Sequence, residues 1–408
     1  MTYREALDWL YSTQLFGIKL GLEAPRRLLR EFLAFPAHDT KVIHVAGTNG
    51  KGSTCAMIDS LGRGLALRTG LFTSPHLIDY RERVRVSGME ISEERCAKLL
   101  TDLRNLVSDW DPHPTFFELT LALAMRHFRE SGCELIALET GMGGRLDAST
   151  AVPADVCLIT PIALDHTQWL GSTLTEIASE KAGIALRGKP LLSAKQKPEA
   201  QFEIERHANE TQAPLTLITD PLLGYPINLP GKHQKENAAL ACEAMIAAGY
   251  HLSYDVVQHS LANVQWPGRF EILEETPFGH KAPFVFDAAH NPHAAEALVE
   301  TWKARFGNKK AQVIFGAVED KEVETVLRLL SEITEHFHFV PTDSPRSLSP
   351  EVLGGISSKE LFTEHISILK ALKTTSKKEI HTLLTGSLFL LGEVKGVISE
   401  KATRSSSQ

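Results

Sequence analysis

Cysteine is scarce in this chain of 408 residues: five, at positions 55, 96, 133, 157 and 242, an odd total without a Cys-x-x-Cys pair. That excludes a disulfide framework, supplies no zinc-ligand spacing, and suits a reducing cytoplasm. Long apolar runs are also missing. No segment approaches the ~18 consecutive apolar residues of a membrane span. The opening residues MTYREALDWL carry charges of both signs where a signal peptide needs an apolar stretch. Positive charge is not in surplus either. Lys and Arg number 43 against 50 Asp and Glu, a net charge of −7, the wrong sign for a surface built to hold nucleic acid. There is no internal repeat. What remains is an ordinary globular composition, 43% apolar, with length for two or three domains.

The stretch that organises the rest is Val42-Ile43-His44-Val45-Ala46-Gly47-Thr48-Asn49-Gly50-Lys51-Gly52-Ser53-Thr54. A β-type run empties into a glycine-rich turn, and a helix-compatible segment, Cys55 to Leu61, follows. Glycines let backbone approach a ligand closely, and free N–H groups at a helix start favour an anion. Lys51 adds a mobile cation, and Ser53 or Thr54 can reach a Mg²⁺ held by phosphates. The spacing departs from the usual P-loop: two residues separate the first two glycines, and Gly52 intervenes before the hydroxyl pair. The combination still reads as a nucleoside-triphosphate site.

Along the chain, Tyr3 to Phe35 reads as two helical pieces split at Phe16–Gly21, and Ser74-Pro75 forces a turn. Arg83 to Gly88 alternates like a half-exposed strand, which accounts for its arginines without a functional role. Thr115 to Glu118 and Thr173 to Glu176 are capping boxes opening helices; Glu118 is equally readable as a ligand. Strand-like runs ending at Glu139 and Ile159 alternate with helices, the pattern of a parallel sheet covered on both faces. Such sheets collect ligands at the carboxyl ends of their strands, which gathers the glycine loop, Glu139 and Asp165-His166 at one edge. Lys195 to Leu229 is weakly patterned, expected to be strands and loops. The charged stretch Glu274 to Lys281 reads as an interdomain linker. Beyond it, alternation resumes as a smaller α/β domain. The expected division is 1–275, 276–400, and a disordered polar tail, 401–408.

Glu139 ends a buried strand, where a carboxylate beside a phosphate loop suits Mg²⁺; the alternative is a cap for the turn that follows. His166 is either a second metal ligand or a turn residue. Asp287-Ala288-Ala289-His290-Asn291-Pro292 is a nucleotide contact if it faces the glycine loop, and otherwise a helix-opening turn. Spacing alone does not promote Lys181.

Seven motifs occur in one order: Gly47 to Ser53, Thr73-Ser74-Pro75-His76-Leu77, Glu139 to Asp147, Leu164-Asp165-His166-Thr167, Glu180-Lys181-Ala182-Gly183-Ile184, Trp266-Pro267-Gly268-Arg269 and Asp287 to Asn291. Together they resemble the folylpolyglutamate synthase/dihydrofolate synthase family of the Mur ligase superfamily, from about Gly17 to Leu388. The resemblance implies an α/β fold, a Mur-ligase-like P-loop domain with a mostly parallel sheet plus a smaller C-terminal Rossmann-like domain. It implies a monomeric ATP-dependent amide ligase adding L-glutamate to reduced folate or dihydropteroate through an acyl phosphate. Carried over residue by residue, Gly47, Thr48, Asn49, Gly50, Lys51, Gly52, Ser53 and Thr54 cradle phosphates, and Asn237, Arg269 and Asp287 contact the nucleotide. Ser74, Glu139 and His166 hold Mg²⁺, Lys181 is the lysine that becomes carbamylated, and His290 lies close to the reaction. Folate contacts fall at Gly17, Ile18 and Lys19, at Thr115 and Phe117, and at Leu146, Asp147 and Ala148.

The chain departs from the family at Lys19, where members that bind dihydropteroate often carry an acidic residue. That counts against dihydrofolate synthase activity. Two rival readings are a Mur-type ligase of peptidoglycan precursors or amino-acid polymers, and a GTPase-like switch. The latter needs an Asn-Lys-x-Asp guanine reader, and Asn308-Lys309-Lys310-Ala311 lacks the aspartate.

Overall fold

The computed structural model describes residues 1–17, 21–273, 279–319, 322–357 and 361–398. Ile18, Lys19 and the tail 401–408, all subjects of the expectations above, lie outside the described residues.

The strands, in chain order, are β1 (Lys41–Ala46), β2 (Thr69–Phe72), β3 (Val84–Val86), β4 (Met89–Glu90), β5 (Leu135–Glu139), β6 (Val156–Ile159), β7 (Leu191–Ala194), β8 (Leu215–Ile218), β9 (Glu271–Leu273), β10 (Phe284–Phe286), β11 (Ala311–Phe315), β12 (Thr334–Phe339), β13 (Phe362–Glu364) and β14 (His381–Thr385). They form two sheets, ordered β4-β3-β2-β5-β1-β6-β7-β8 and β13-β12-β11-β14-β10-β9. Pairing is parallel except at one edge of each sheet, where β2–β3, β3–β4 and β9–β10 are antiparallel. The expected α/β architecture with mostly parallel sheets is what the chain adopts.

Strand residues alternate between faces, and both faces are covered. In β1, Val42 and Ala46 enter one apolar layer with the helices Glu93–Val107 and Phe116–Glu130. Ile43 and Val45 enter the opposite layer with the helices Lys51–Gly64 and Lys232–Ala247. The second sheet is likewise sandwiched between two layers, one around Trp302 and Phe337 and one around Phe286 and Leu391.

Two local expectations change. The weakly patterned region holds a 14-residue helix, Pro198–Thr211. Its signals are Pro198 in the first turn and Ala200, Ile204 and Ala208 buried at four-residue spacing. Of the stretch expected as an interdomain linker, Glu274 to Lys281, residues 274–278 and with them the expected division at 275/276 lie outside the described residues; the strands on either side, β9 and β10, pair antiparallel in the second sheet. Arg83 is fully buried, not half-exposed: its Nε donates to His76 Nδ1 at 2.8 Å and its guanidinium lies 5.2 Å from the Phe116 ring centroid. Arg83 directly precedes β3, which is paired on both sides, and His76 from the loop after β2 packs on it.

Candidate active site

In the first sheet, β1, β2, β5 and β6 run parallel and end on the same edge, delivering the glycine loop, Ser74, Glu139 and Pro161 together. In the second sheet, β10 and β14 deliver Asp287 and Ser387. These two edges face each other across a cavity of about 360 Å³ lined by both lobes.

The glycine loop is built by close approach. A Cβ on Gly47 (φ +143°) would stand 1.9 Å from Thr160 Oγ1, and one on Gly50 (φ +92°) 2.6 Å from Asn237 Oδ1. The amides of Thr48 and Asn49 both donate to the Pro161 carbonyl, at 3.0 and 3.2 Å, pinning the loop to the end of β6. The helix Lys51–Gly64 starts at Gly50 without a side-chain cap, so its first amides are left for a ligand. Lys51 Nζ reaches the carbonyls of Gly47 and Thr48 at 3.2 and 3.3 Å. Asn237 Nδ2 donates to Gln234 Oε1 at 3.0 Å, and Gln234 Nε2 to Ser53 Oγ at 3.5 Å.

Glu139, 4% exposed, ends β5 and accepts from the Ser74 amide at 3.0 Å. Burial pushes its carboxyl up; Lys51, the Ser74 amide, Arg269 and Arg83 pull it the other way. Lys181, also 4% exposed, donates from Nζ to the Gly47 carbonyl at 2.8 Å. Burial, helped by the charge of Lys51, pushes its pKa down to about 7 against the pull of Asp165 and Asp147. Opposite stand Arg269 and Asp287. Burial lowers the arginine and raises the carboxyl, and their mutual attraction opposes both shifts. Asp287 also accepts the amides of Phe270 and Ala289, each at 2.9 Å. His290 Nδ1 meets the Ala288 carbonyl at 2.8 Å, so that nitrogen carries the proton, while Nε2 lies 3.4 Å from Asp165 Oδ2.

The same cavity is also lined by Gly17, Thr115, Phe117, Leu146, Asp147 and Ala148. Asp147 is committed to its own turn, accepting the amides of Met142 and Ser149 at 2.9 Å each. Glu118 completes the capping box by accepting the Thr115 amide at 2.6 Å, and also lines the cavity.

Of the sequence-derived site residues that are described, the cavity brings together all but one. Ser74, Glu139, His166, Lys181, Asn237, Arg269, Asp287 and His290 line it with Gly47 to Ser53. Thr54 does not; it is fully buried in the helix, with its hydroxyl unpaired among the described residues. Among the described residues no three of His, Cys, Asp and Glu gather closely enough to hold an ion by themselves. Sequence reasoning missed Gln14, Trp169, His293 and Arg346, which also line the cavity. His293 stands just past a motif that was noticed; the other three carry no local signal.

Residues 45–191 match the Mur ligase middle domain, and residues 268–388 the Mur ligase, glutamate ligase domain. Over 431 aligned positions the chain is 34% identical to the dihydrofolate synthase/folylpolyglutamate synthase of Bacillus subtilis (strain 168), covering 96% of this chain and 98% of that relative. The chain belongs to the dihydrofolate synthase/folylpolyglutamate synthase family. Among solved members of this family, E. coli FolC in complex with DHPP and ADP superposes with a TM-score of 0.85 at 32% identity, covering 97% of this chain and 98% of that one. The bifunctional folylpolyglutamate synthase/dihydrofolate synthase of Yersinia pestis CO92, complexed with AMPPNP and a Mn ion, superposes at 0.87 with 29% identity over 98% of both chains. The family resemblance read from the seven ordered motifs therefore holds. Among the described residues, no helix is long and apolar enough to cross a membrane.

Proposed function

We propose that this chain is an ATP-dependent ligase joining L-glutamate to the carboxylate of a reduced folate; dihydropteroate is the further acceptor to be tested, and Lys19 counts against it. One observation carries the reading: Lys51, Lys181, Glu139, Arg269 and Asp287, contributed by both lobes, line the same cavity as the apolar side chains of Phe117 and Leu146. The first group suits a triphosphate and its metal, the second a flat heterocycle.

A carboxylate is a poor electrophile. Its oxygen attacks the γ-phosphorus and ADP leaves; the amine of glutamate then attacks the acyl carbon and phosphate leaves. In this reading the amides of Gly50 to Ser53 at the helix start hold the phosphates, those of Thr48 and Asn49 being taken by Pro161, and Lys51 and Arg269 offset charge on the transferring group. Asn237, beside Gly50 in the first lobe, and Asp287, from the second lobe, contact the nucleotide. Ser74, Glu139 and His166 would hold Mg²⁺, which when bound polarises the phosphoryl oxygens. Burial lowers the pKa of Lys181 to about 7, favouring the free amine that reacts with CO₂; a carbamate there would place an anion beside the phosphate loop. Closure of the lobes excludes water that would hydrolyse the acyl phosphate. The reading includes a monomer working in the cytoplasm, where all five cysteines, buried and unpaired, stay reduced.

The deciding measurement is phosphate release from ATP with L-glutamate and either tetrahydrofolate or dihydropteroate. Release with tetrahydrofolate supports the reading, release with dihydropteroate adds the second acceptor, and no release with either refutes it.

A further inference from the structure

Asn49 and Asn291 lie 242 residues apart, one in the glycine loop and one at the end of the segment that follows β10. Asn49 Nδ2 donates to Asn291 Oδ1 at 3.2 Å, and Asn291 Nδ2 returns a bond to Asn49 Oδ1 at 3.1 Å. Each amide has one further tie. Asn49 Nδ2 also reaches His293 Nδ1 at 2.9 Å, and Asn291 Nδ2 reaches Asp165 Oδ2 at 3.4 Å. Asn291 Oδ1 in addition caps the helix Pro292–Phe306 by accepting the Ala294 amide at 2.9 Å. Asn291 is 2% exposed, so these bonds form out of water, where an unpaired amide costs more than it does at a surface.

The pair therefore joins the starts of two helices, Lys51–Gly64 in the first lobe and Pro292–Phe306 in the second, and both border the cavity. Reciprocal amide bonding is directional. It sets separation and orientation together, unlike the apolar packing of Leu77 against the second lobe. Neither asparagine is needed to explain the fold of its own lobe beyond the cap that Asn291 supplies.

We propose that the Asn49–Asn291 pair is a positioning clasp that holds the glycine loop in register with the second lobe, so that the phosphoryl donor and the groups on Arg269, Asp287 and His290 meet in a productive geometry. It acts through the placement of these groups. The kinetic part of its test rests on the ligase reading; the structural part does not.

The variant Asn291→Ser keeps a capping oxygen for Ala294 but cannot reach Asn49. Asn49→Ala removes the other half, and the double variant removes both. In steady-state kinetics each single variant is expected to lose roughly tenfold to a hundredfold in kcat, as a misplacement of about 1 Å does, with KM for ATP changed less than about threefold. The double variant is expected to lose no more than the worse single one, since a bond is lost only once. Losses that multiply, or an unchanged kcat, overturn the proposal. Independently of activity, spin labels at Glu199→Cys and Lys373→Cys, exposed on helices of the two lobes, report lobe separation with and without ADP. The five native cysteines are buried and leave the labels specific. A distance distribution that broadens in Asn291→Ser, with melting temperature retained, supports the clasp. A distribution identical to the parent overturns it, even if the parent protein proves not to be a folate ligase.

Discussion

Lys181 and Gly47, 134 residues apart, are joined by a 2.8 Å hydrogen bond from the lysine Nζ to the glycine carbonyl. A buried amine thus supports the first residue of the phosphate loop, and its protonation is coupled to folding. The unfolded lysine titrates near 10.5 and the folded one near 7. Below about 7 both states hold the proton, and the full cost of burying an ammonium is present. Between 7 and 10.5 the unfolded chain holds more protons than the folded one, so stability rises with pH across that window. Lys181→Met removes the titrating group. Its melting temperature should exceed that of the parent most below pH 7, with the gap closing toward pH 10.5, while ligase activity is lost. Thermal melts across pH check the first, phosphate release the second.

A carbamate on Lys181 would make activity depend on dissolved CO₂. Ligase turnover in degassed, bicarbonate-free buffer should fall and recover when bicarbonate is restored. Equal activity in both buffers would leave Lys181 acting as the plain amine.

Glu139→Gln keeps shape and the acceptor for the Ser74 amide while deleting the charge. The apoprotein should be at least as stable, because a buried carboxylate carries a desolvation cost. Turnover should fall by about a hundredfold or more, given what one well-placed electrostatic group contributes. ADP titrations should lose their enhancement by Mg²⁺. If that enhancement survives, Glu139 is not a metal ligand.

Gly47→Ala combines positive φ with a clash, its methyl landing 1.9 Å from Thr160 Oγ1. Gly132→Ala has positive φ alone, with nothing within 4 Å. The second should cost only about 1–2 kcal/mol, the ordinary left-handed penalty, and keep nucleotide affinity. The first should lose nucleotide binding by calorimetry even where the protein remains folded.

Gly392→Ala tests the contact between lobes. Inside the helix Leu388–Ile398 alanine would ordinarily stabilise by roughly 0.5–1 kcal/mol. Here the methyl would meet the backbone carbonyl of Leu77 at 2.1 Å, and a backbone cannot swing aside. Clash should win: the melting temperature drops and turnover falls with it. Gly355→Ala, with open space around it, should not destabilise.

Much of this was legible from the chain. Strand–glycine–lysine–helix, a carboxylate closing β5 and two capping boxes are local patterns, and local physics dictates them. The helix Pro198–Thr211 escaped because its buried face is Ala200, Glu203, Ile204 and Ala208, a weak hydrophobic signal. The pairing of β9 with β10 across the charged stretch was missed because charge shows in composition and pairing does not.

By itself, then, the amino-acid order determined the elements, the covered parallel sheets, and the identity of nearly every polar group at the strand ends. Only the tertiary structure decided that Thr54 is sealed in its helix while Ser53 reaches the cavity, that Arg83 is buried, and that Asn49 faces Asn291. Periodicity and capping act over a few residues, whereas burial and partner choice depend on which distant segments the fold brings alongside.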